Sequence, residues 1–230
     1  MRIATWNVER LKHRSSLDEI RTACERTKAD IFVLTETDTQ LNLPYEHIYY
    51  TTPPAPDGPV SYRATERRAA ICTDYVCVQR HRTYDEHTAI CVELETEYGR
   101  LLVYATIIGV FGNRHPSFME DVCQQANDFS SFTSEAKSLC ICGDFNCSFS
   151  DNYYYTKAGR ERLSQIFAEC SLQVLTADVP ECIDHIVVSS TFIKNRGLRI
   201  EEWNVSKKLS DHKGVLVQTY DMEAKYGSNL

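Results

Sequence analysis

Five short polar motifs in this sequence carry side chains that can bind divalent cations or transfer protons. Each motif adjoins a run of apolar residues, so each is expected at the end of a β-strand. Because a sheet holds the side chains at its strand ends rigidly and close together, we expect the five motifs to meet in one crevice. The motifs are Trp6-Asn7-Val8-Glu9, Thr35-Glu36-Thr37-Asp38, Gly143-Asp144-Phe145-Asn146, Ile183-Asp184-His185 and Ser210-Asp211-His212-Lys213-Gly214.

The side chains in these motifs are typical of metal-assisted phosphoester hydrolysis. Carboxylates and amides are hard oxygen ligands, which suit magnesium or manganese rather than zinc. Such a cation polarises a phosphoryl oxygen and neutralises the charge that develops on it. A histidine paired with an aspartate transfers a proton or stabilises a negative phosphoryl group. We therefore predict a magnesium or manganese site in an enzyme that hydrolyses phosphoesters.

Each motif alone also has an ordinary structural explanation. An Asp-x-Asn sequence after glycine is more often a turn than a catalytic element, and a lone Ser-Asp-His sequence can cap a loop. The occurrence of all five motifs, each at a strand end, is what favours a functional site.

In this order the motifs resemble those of the endonuclease/exonuclease/phosphatase superfamily, over the span from Thr5 to Gly214. That superfamily includes apurinic/apyrimidinic endonucleases, pancreatic-type deoxyribonucleases, inositol-phosphate phosphatases and bacterial sphingomyelinases. The resemblance implies a single domain over residues 1–230 with an α/β fold. The expected architecture is a four-layered α/β sandwich, in which helices flank two packed mixed β-sheets.

The resemblance also implies roles for the residues of the first three motifs. Glu36 resembles the main metal-binding glutamate of the superfamily, and Asn7 resembles the asparagine that supports the metal and the phosphate. Asp144 resembles the aspartate that positions or deprotonates the attacking water. Asn146 resembles the asparagine that hydrogen-bonds the phosphate.

In the closing motif, the resemblance places Asp211 near the metal and His212 against the scissile phosphate, with Asp184 orienting His212. Glu9 stands where nucleases of the superfamily often carry an acidic residue near the metal, but a solvated surface glutamate is an equally good interpretation. His185 is predicted to point to the opposite face of its strand from Asp184, in a structural role.

Between the central hairpin and the next helix, the sequence departs from the superfamily patterns. Deoxyribonucleases and sphingomyelinases tend to have a second histidine there, and apurinic/apyrimidinic endonucleases have a Tyr-x-Pro-Asn element, but residues 105–116 match neither. Asn113, Arg114 and His115 are predicted to bind the substrate phosphate, because arginine contacts phosphate bidentately and the following helix N-terminus favours anions. The alternative is a turn that exposes polar groups.

The expected substrate is a phosphoester, and nucleic acid is one candidate. A nuclease or other phosphodiesterase is the first hypothesis, and the alternatives are a small-molecule or lipid-headgroup phosphatase and a catalytically silent binding module. The run Tyr153-Tyr154-Tyr155 either stacks on bases or packs its loop onto the sheet edge. The net charge of −7 argues against tight nonspecific binding to nucleic acid but leaves room for a local basic groove.

The composition is that of a globular protein with a sizeable core, since 43% of the 230 residues are hydrophobic and 25% are charged. The longest strongly apolar stretch runs from Leu101 to Phe111 and is too short for a membrane span, which needs ~20 residues. No signal-peptide pattern is evident, and the ten cysteines lack a regular spacing. We therefore expect a cytoplasmic location with reduced, buried thiols.

Apolar runs and turn residues predict the elements that must position the motifs. Ser16 and Glu19 predict a helix start with a capping box, and the proline-rich segment 53–59 predicts a surface loop. Further helices are predicted over 117–132 and 160–170. The predicted strands cover residues 2–6, 31–34, 69–73, 75–79, 89–95, 100–108, 139–142, 172–175, 183–188 and 214–219.

Overall fold

Two β-sheets and three helices make up the part of the chain described in a computed structural model, which covers residues 1–54, 60–134 and 138–222. The helices are α1 (Leu17–Arg26), α2 (Phe118–Ser134) and α3 (Lys157–Glu169), and short 3₁₀ turns occupy Glu9–Leu11 and Arg14–Ser16. The strands are β1 (Arg2–Asn7), β2 (Ile31–Asp38), β3 (His47–Tyr50), β4 (Glu66–Thr73), β5 (Cys77–His81), β6 (Ala89–Thr96), β7 (Gly99–Ile107), β8 (Ser138–Asp144), β9 (Leu172–Val174), β10 (Asp184–Ser189), β11 (Arg196–Trp203) and β12 (Gly214–Asp221).

Each sheet has six strands and is mixed. Sheet A has the order β11-β12-β1-β2-β4-β3, and sheet B has the order β5-β6-β7-β8-β10-β9. Within sheet A only β1 and β2 run parallel, and within sheet B only β7 and β8 do, among the strands of the described residues. This confirms the predicted mixed sheets.

Alternation along the strands divides the apolar side chains among three cores. In β2, Ile31 and Val33 point into the core between the two sheets, whereas Phe32 and Leu34 belong to the core that includes the buried side of α1. A third core joins the outer face of sheet B to α2 and α3. The layers are therefore α1, sheet A, sheet B and the α2–α3 pair, as the four-layered sandwich predicts.

The strand directions bring the five polar motifs to one end of this sandwich. Asn7 and Glu36 lie towards the carboxyl ends of the parallel strands β1 and β2, and Asp144 ends β8. Asp184 begins β10 directly opposite Asp144, because β10 and β8 are antiparallel. The Ser-Asp-His motif precedes β12, which runs antiparallel to β1 and so starts beside the end of β1.

The sequence did not predict two strands, β3 and β11, and both are the edge strands of sheet A. All four residues of β3 are half-buried, and β11 has no fully buried residue. An edge strand covered on one side only lacks the continuous apolar run by which the central strands are recognised.

The start of α1 was correctly predicted, but its capping box was not. Ser16 precedes the helix and makes no side-chain capping hydrogen bond. Its backbone (φ −107°, ψ 22°) continues a 3₁₀ turn instead of the extended conformation of a capping serine. The proline-rich loop predicted at 53–59 lies largely outside the described residues, since 55–59 are not among them.

The ten cysteines all lie in described residues, and none forms a disulfide. Most of them are buried, as expected for thiols that act as small apolar residues. Of the helices in residues 1–54, 60–134 and 138–222, none combines the length and the apolar character that crossing a membrane requires.

Candidate active site

Asn7 connects the carboxylates of the two sheets. Its Nδ2 donates a hydrogen bond to Asp144 Oδ2 at 3.0 Å and lies 3.4 Å from Glu36 Oε1. Its Oδ1 accepts a hydrogen bond from the backbone N–H of Glu9 at 2.8 Å. The Asn7 amide is fully buried, so this bridge fixes where sheet A meets sheet B at the motif-bearing end.

Asp144 owes its position to the glycine before it. A Cβ on Gly143 would lie 1.9 Å from the carbonyl oxygen of Thr106, and the backbone there has φ +139°. Only glycine permits this close approach of β8 to β7. Asp144 Oδ1 accepts a hydrogen bond from the Asn146 N–H at 2.8 Å. Burial raises the pKa of the Asp144 carboxyl well above its usual value, although the charge of His212 opposes the rise.

The loop that carries His212 is tied to β1. The Ser210 hydroxyl donates to the Asn7 carbonyl at 2.6 Å, and the Trp6 indole N–H donates to the His212 carbonyl at 3.1 Å. The Asn204 amide also donates to the His212 carbonyl, at 2.7 Å. These contacts hold the histidine backbone against the end of the first strand.

The His212 ring lies among three aspartates. Its Nδ1 is 2.5 Å from Asp184 Oδ2, and its Nε2 is 4.0 Å from Asp144 Oδ2 and 3.6 Å from Asp211 Oδ1. Burial lowers the pKa of His212, but the charges of Asp184 and Asp144 outweigh it and raise the pKa to about 10. The ring is therefore an imidazolium at neutral pH, with Nδ1–H donated to Asp184 and Nε2–H facing the site.

Left-handed backbone is concentrated around these residues. Glu36 has φ 44° inside strand β2, and Asn146 has φ 48°. The turn Glu9–Leu11 has three such residues in succession, with φ between 51° and 55°. A non-glycine residue in this region is strained by about 1–3 kcal/mol, and such strain is concentrated at functional sites.

The oxygen donors at this end fit a hard divalent cation. No group of three or more His, Cys, Asp and Glu within the described ranges has metal-ligating geometry. Glu36 and Asp144, bridged by Asn7, supply two carboxylates and an amide, and magnesium is commonly held by one or two carboxylates with water and substrate phosphate. Burial raises the pKa of Glu36 as it does that of Asp144, so a bound cation would favour the charged form of both.

Glu9 and Asp211, the other two predicted metal ligands, lie together at the rim. The Glu9 carboxylate contacts Lys12 Nζ at 2.8 Å and His13 Nε2 at 3.4 Å, and it accepts the Asp211 N–H at 3.3 Å. The Asp211 side chain is 64% exposed. Both residues border the site, and their part in metal binding stays a prediction.

The Asn146 side chain is hydrogen-bonded to the backbone of the β7–α2 loop. Its amide donates to the carbonyls of Ile108 and Gly109, each at 3.1 Å. Asn113, a predicted substrate-binding residue, is buried and donates its own amide to the Asn146 carbonyl at 2.8 Å. In this arrangement both asparagines brace the turn after β8, and binding of the phosphate by Asn146 requires release of an amide hydrogen.

Arg114 and His115, the other residues of the predicted phosphate loop, are exposed. The His115 ring packs against Phe111 with centroids 5.0 Å apart, and its Nδ1 is 2.7 Å from Ser117 Oγ. This loop borders the end of the sandwich, and its contact with substrate remains a prediction.

Asn204 holds the loop that carries His212, although no sequence motif includes it. Besides holding the His212 carbonyl, its amide donates to the Ser210 carbonyl at 2.8 Å and its Oδ1 accepts the Leu209 N–H at 3.0 Å. Nothing in the sequence marks this asparagine, because it lies outside every recognised motif and its contacts are made by the folded loop.

His185 is a buried structural residue, as predicted. Its Nε2 lies 2.9 Å from the Cys147 carbonyl and its Nδ1 lies 2.9 Å from Thr176 Oγ1. The carbonyl requires a donor, so the ring is the neutral Nε2–H form and Nδ1 accepts from the threonine hydroxyl. Burial lowers the pKa of His185 to about 4.

His185 is expected to make the fold sensitive to acid. The pKa of His185 is 6.5 in the unfolded chain and about 4 in the folded chain. At a pH between these values, His185 is protonated in the unfolded chain and neutral in the folded chain. The free energy of unfolding should therefore fall by about 3 kcal/mol from this residue as the pH drops from 7 to 4. Urea unfolding measures this free energy. Between pH 7 and pH 4 the free energy of unfolding of the wild type should fall by about 3 kcal/mol more than that of His185→Gln. His115→Gln, at an exposed position, should show the same fall as the wild type. Equal losses in wild type and His185→Gln would refute the assignment.

Comparison with known proteins bears on both the fold and the site. A family model described as the Endonuclease/Exonuclease/phosphatase family matches residues 4–212, a span that holds all five motifs apart from the last two residues of the final one. No curated protein matches the chain.

Many solved structures share the fold at low sequence identity. A 3′ phosphatase from Neisseria bound to a product DNA hairpin has a TM-score of 0.70 at 16% identity, covering 96% of this chain and 99% of that one. An endonuclease/exonuclease/phosphatase from Beutenbergia cavernae has a TM-score of 0.74 at 15% identity, covering 95% and 71%. An AP endonuclease from Archaeoglobus fulgidus has a TM-score of 0.69 at 13% identity, covering 95% and 98%.

Proposed function

The chain belongs to the endonuclease/exonuclease/phosphatase family, a family of phosphoester hydrolases, and from that membership we propose that it is a magnesium- or manganese-dependent phosphodiesterase acting on nucleic acid. The observation that carries the proposal is the geometry at His212, whose Nδ1 lies 2.5 Å from Asp184 Oδ2 and whose Nε2 lies 4.0 Å from Oδ2 of the buried Asp144. A fixed positive donor beside a buried carboxylate suits the transfer of a phosphoryl group to water.

Glu36, Asn7 and Asp144 are the residues proposed to hold the cation. When bound, a divalent cation polarises a phosphoryl oxygen and offsets negative charge on the substrate. Asn7 fixes the positions of the Glu36 and Asp144 carboxylates relative to each other, since its amide lies within hydrogen-bond distance of both.

Asp144 is proposed to position the attacking water and to accept its proton. As the new P–O bond to that water forms, the P–O bond to the leaving ester oxygen breaks, and the leaving oxygen takes a proton from bulk water. Asp144 Oδ1 is fixed by the Asn146 N–H and its Oδ2 by the Asn7 amide, so the carboxylate has one orientation.

His212 is proposed to donate Nε2–H to a non-bridging phosphoryl oxygen. Negative charge grows on that oxygen as the water attacks, and a preorganised cationic donor stabilises this charge more than it stabilises the ground state. Asp184 acts through His212 by keeping the ring protonated and by fixing its orientation.

Two of the similar structures support a nucleic-acid substrate, because one is described as a 3′ phosphatase bound to DNA and another as an AP endonuclease. A small-molecule or lipid-headgroup phosphatase is the second candidate. It is favoured by the net charge of −7, which weakens binding to a nucleic-acid backbone.

Hydrolysis of bis-p-nitrophenyl phosphate tests the proposal. We expect release of p-nitrophenol with Mg²⁺ or Mn²⁺, loss of release with EDTA, and recovery when the cation is restored. Nicking of plasmid DNA at low salt, or cleavage of a single-stranded oligonucleotide, supports the nuclease, whereas hydrolysis of monoesters with neither of these supports the phosphatase. No metal-dependent turnover across a broad panel of phosphoesters would instead favour a silent binding module.

A further inference from the structure

A cavity of about 290 Å³ opens beside His212. It is bounded by the loop after β8 on one side and by the loop between β11 and β12 on the other. Its size lies near the lower end of small-ligand pockets, which suits one nucleoside-sized group and not a length of duplex. The lining residues include Asn146, Tyr153, Tyr154, Lys207, His212 and Lys213.

Tyr153 and Lys207 form a pair across the mouth of this cavity. The Lys207 ammonium donates to the Tyr153 hydroxyl at 2.6 Å and lies 4.1 Å from the centroid of the Tyr153 ring. Even with this contact the tyrosine is 46% exposed. An exposed aromatic ring is thus held in a defined orientation at the edge of the site.

Tyr154 and Tyr155, the other two residues of the tyrosine run, make contacts within the protein. The Arg160 guanidinium lies 3.6 Å from the centroid of the Tyr155 ring, which packs against the outer core of sheet B. Tyr154 is half-buried, and its hydroxyl lies 2.8 Å from where a Cβ on Gly112 would stand. Of the three, Tyr153 is the most exposed, and its ring borders the cavity.

Lys207 is held in a fixed relation to His212. Its backbone N–H donates to the Asn204 carbonyl at 2.8 Å, and the side chain of Asn204 holds the His212 carbonyl at 2.7 Å. Lys213 also lines the cavity, but its ammonium is bound by Glu202 at 3.1 Å and by the Pro180 carbonyl at 2.8 Å. Lys207 is therefore the lysine of this wall that is directed to the mouth.

The tyrosine loop is equally constrained. Asp151 Oδ1 accepts the Tyr153 N–H at 3.0 Å, and Asp151 Oδ2 accepts the Glu181 N–H at 2.7 Å. The hydroxyl of Ser148 donates to the same aspartate. These bonds preorganise the ring, so little conformational entropy is lost when a ligand stacks on it.

We propose that Tyr153 and Lys207 form a clamp that selects phosphoesters carrying a nucleobase. The base of the nucleotide next to the scissile phosphate stacks on Tyr153, and the ammonium of Lys207, which has three donors, binds an oxygen of a neighbouring phosphate. The clamp rests on the proposed function, and it narrows the substrate to single-stranded or terminal nucleotides, which can place one base in the cavity.

A matched pair of substrates tests the clamp. One is a thymidine trinucleotide, and the other is the same trinucleotide with a tetrahydrofuran in place of one nucleoside, tried at each position. Tyr153→Ala should lower kcat/KM for the complete trinucleotide by about 5- to 100-fold, mainly through KM, which is the range expected for one base–aromatic stack. When the tetrahydrofuran replaces the nucleoside whose base stacks on Tyr153, kcat/KM should be the same for the wild type and for Tyr153→Ala.

Further variants separate the ring from its partners. Tyr153→Phe keeps the ring and should retain most of the base preference. Lys207→Met should lower kcat/KM for both substrates and reduce its dependence on salt, because a phosphate contact is lost. Lys208→Ala, at the exposed neighbouring lysine, should behave as wild type. An equal loss for both substrates in Tyr153→Ala, or no loss for either, would overturn the clamp.

Binding without turnover distinguishes failure of the clamp from failure of the proposed function. Fluorescence anisotropy with a labelled oligothymidylate in EDTA should show weaker binding by Tyr153→Ala in the same range. If the wild type binds oligothymidylate more tightly than Tyr153→Ala but hydrolyses nothing with Mg²⁺, the proposed function is refuted and the clamp stands. A wild type that hydrolyses, and whose Tyr153→Ala variant binds normally, would refute the clamp alone.

Discussion

Glu36→Gln is expected to reduce kcat/KM by about a thousandfold while leaving the fold intact. The substitution keeps the shape of the side chain and removes the charge that is proposed to hold the cation. A metal ion contributes several kcal/mol to stabilising the transition state, and about 4 kcal/mol corresponds to a thousandfold. Steady-state hydrolysis of bis-p-nitrophenyl phosphate at saturating Mg²⁺ measures this loss.

The Glu36→Gln variant should be at least as stable as the wild type, although it is far less active. Burial raises the pKa of Glu36, so the folded protein disfavours its charged form, and removing the charge should leave the melting temperature in EDTA equal or higher. Mg²⁺ should raise the melting temperature of the wild type by mass action and should not raise that of Glu36→Gln. Glu95→Gln, at an exposed strand position, is the control. A Glu36→Gln protein that keeps wild-type activity would show that the cation is held elsewhere.

Asp184→Asn is expected to lower kcat/KM by about 10²- to 10³-fold, the usual loss when one preorganised donor to a developing negative charge is disabled. The neutral amide removes the 2.5 Å partner that holds the His212 ring and keeps it protonated. Asp184 is a principal cause of the raised pKa of His212, so its loss lowers that pKa from about 10 towards neutrality.

The pH profile distinguishes this role from a purely structural one. If the imidazolium is the active form, the alkaline limb of the Asp184→Asn profile should lie at a lower pH than the alkaline limb of the wild type. His212→Gln should lack this alkaline limb, and the double variant should be scarcely worse than either single one, because the two residues act as a unit. Asp178→Asn, an exposed aspartate near β9, should keep the wild-type profile. An unshifted alkaline limb in Asp184→Asn would contradict the role of Asp184.

The central strands could be predicted from the sequence because burial on both faces leaves a clear apolar signal. Ile31 to Leu34 alternate between two cores and are all apolar, so the run is recognisable without knowing which residue faces which core. The edge strands β3 and β11 carry half-buried or exposed residues at every position, so their formation depends on pairing with a neighbour already in place.

The composition of the candidate site could also be predicted, but its geometry could not. Motif order identified Glu36, Asp144 and His212, whereas the bridge from Asn7 to Asp144 joins residues 137 positions apart. Left-handed backbone at Glu36 is imposed by the folded sheet, since glutamate has no preference for that conformation.

The loops around the site were the least predictable part. Asn113 has the residue type of a phosphate ligand, yet it is buried and braces Asn146. Asn204 positions both Lys207 and His212 through contacts that exist only after the loop has closed. Such contacts cannot be predicted from local sequence, because the residues that make them come from different strands and turns.

Anomalous diffraction from crystals of the wild type grown with Mn²⁺ and an oligonucleotide product locates the cation and the phosphate together. We expect an anomalous peak at the Glu36 carboxylate beside Asn7 and Asp144, with His212 Nε2 in hydrogen-bond contact with the product phosphate. A protein that hydrolyses phosphodiesters with Mn²⁺ but shows its anomalous peak away from Glu36, or its phosphate away from His212, would refute the proposed metal site or the proposed role of His212.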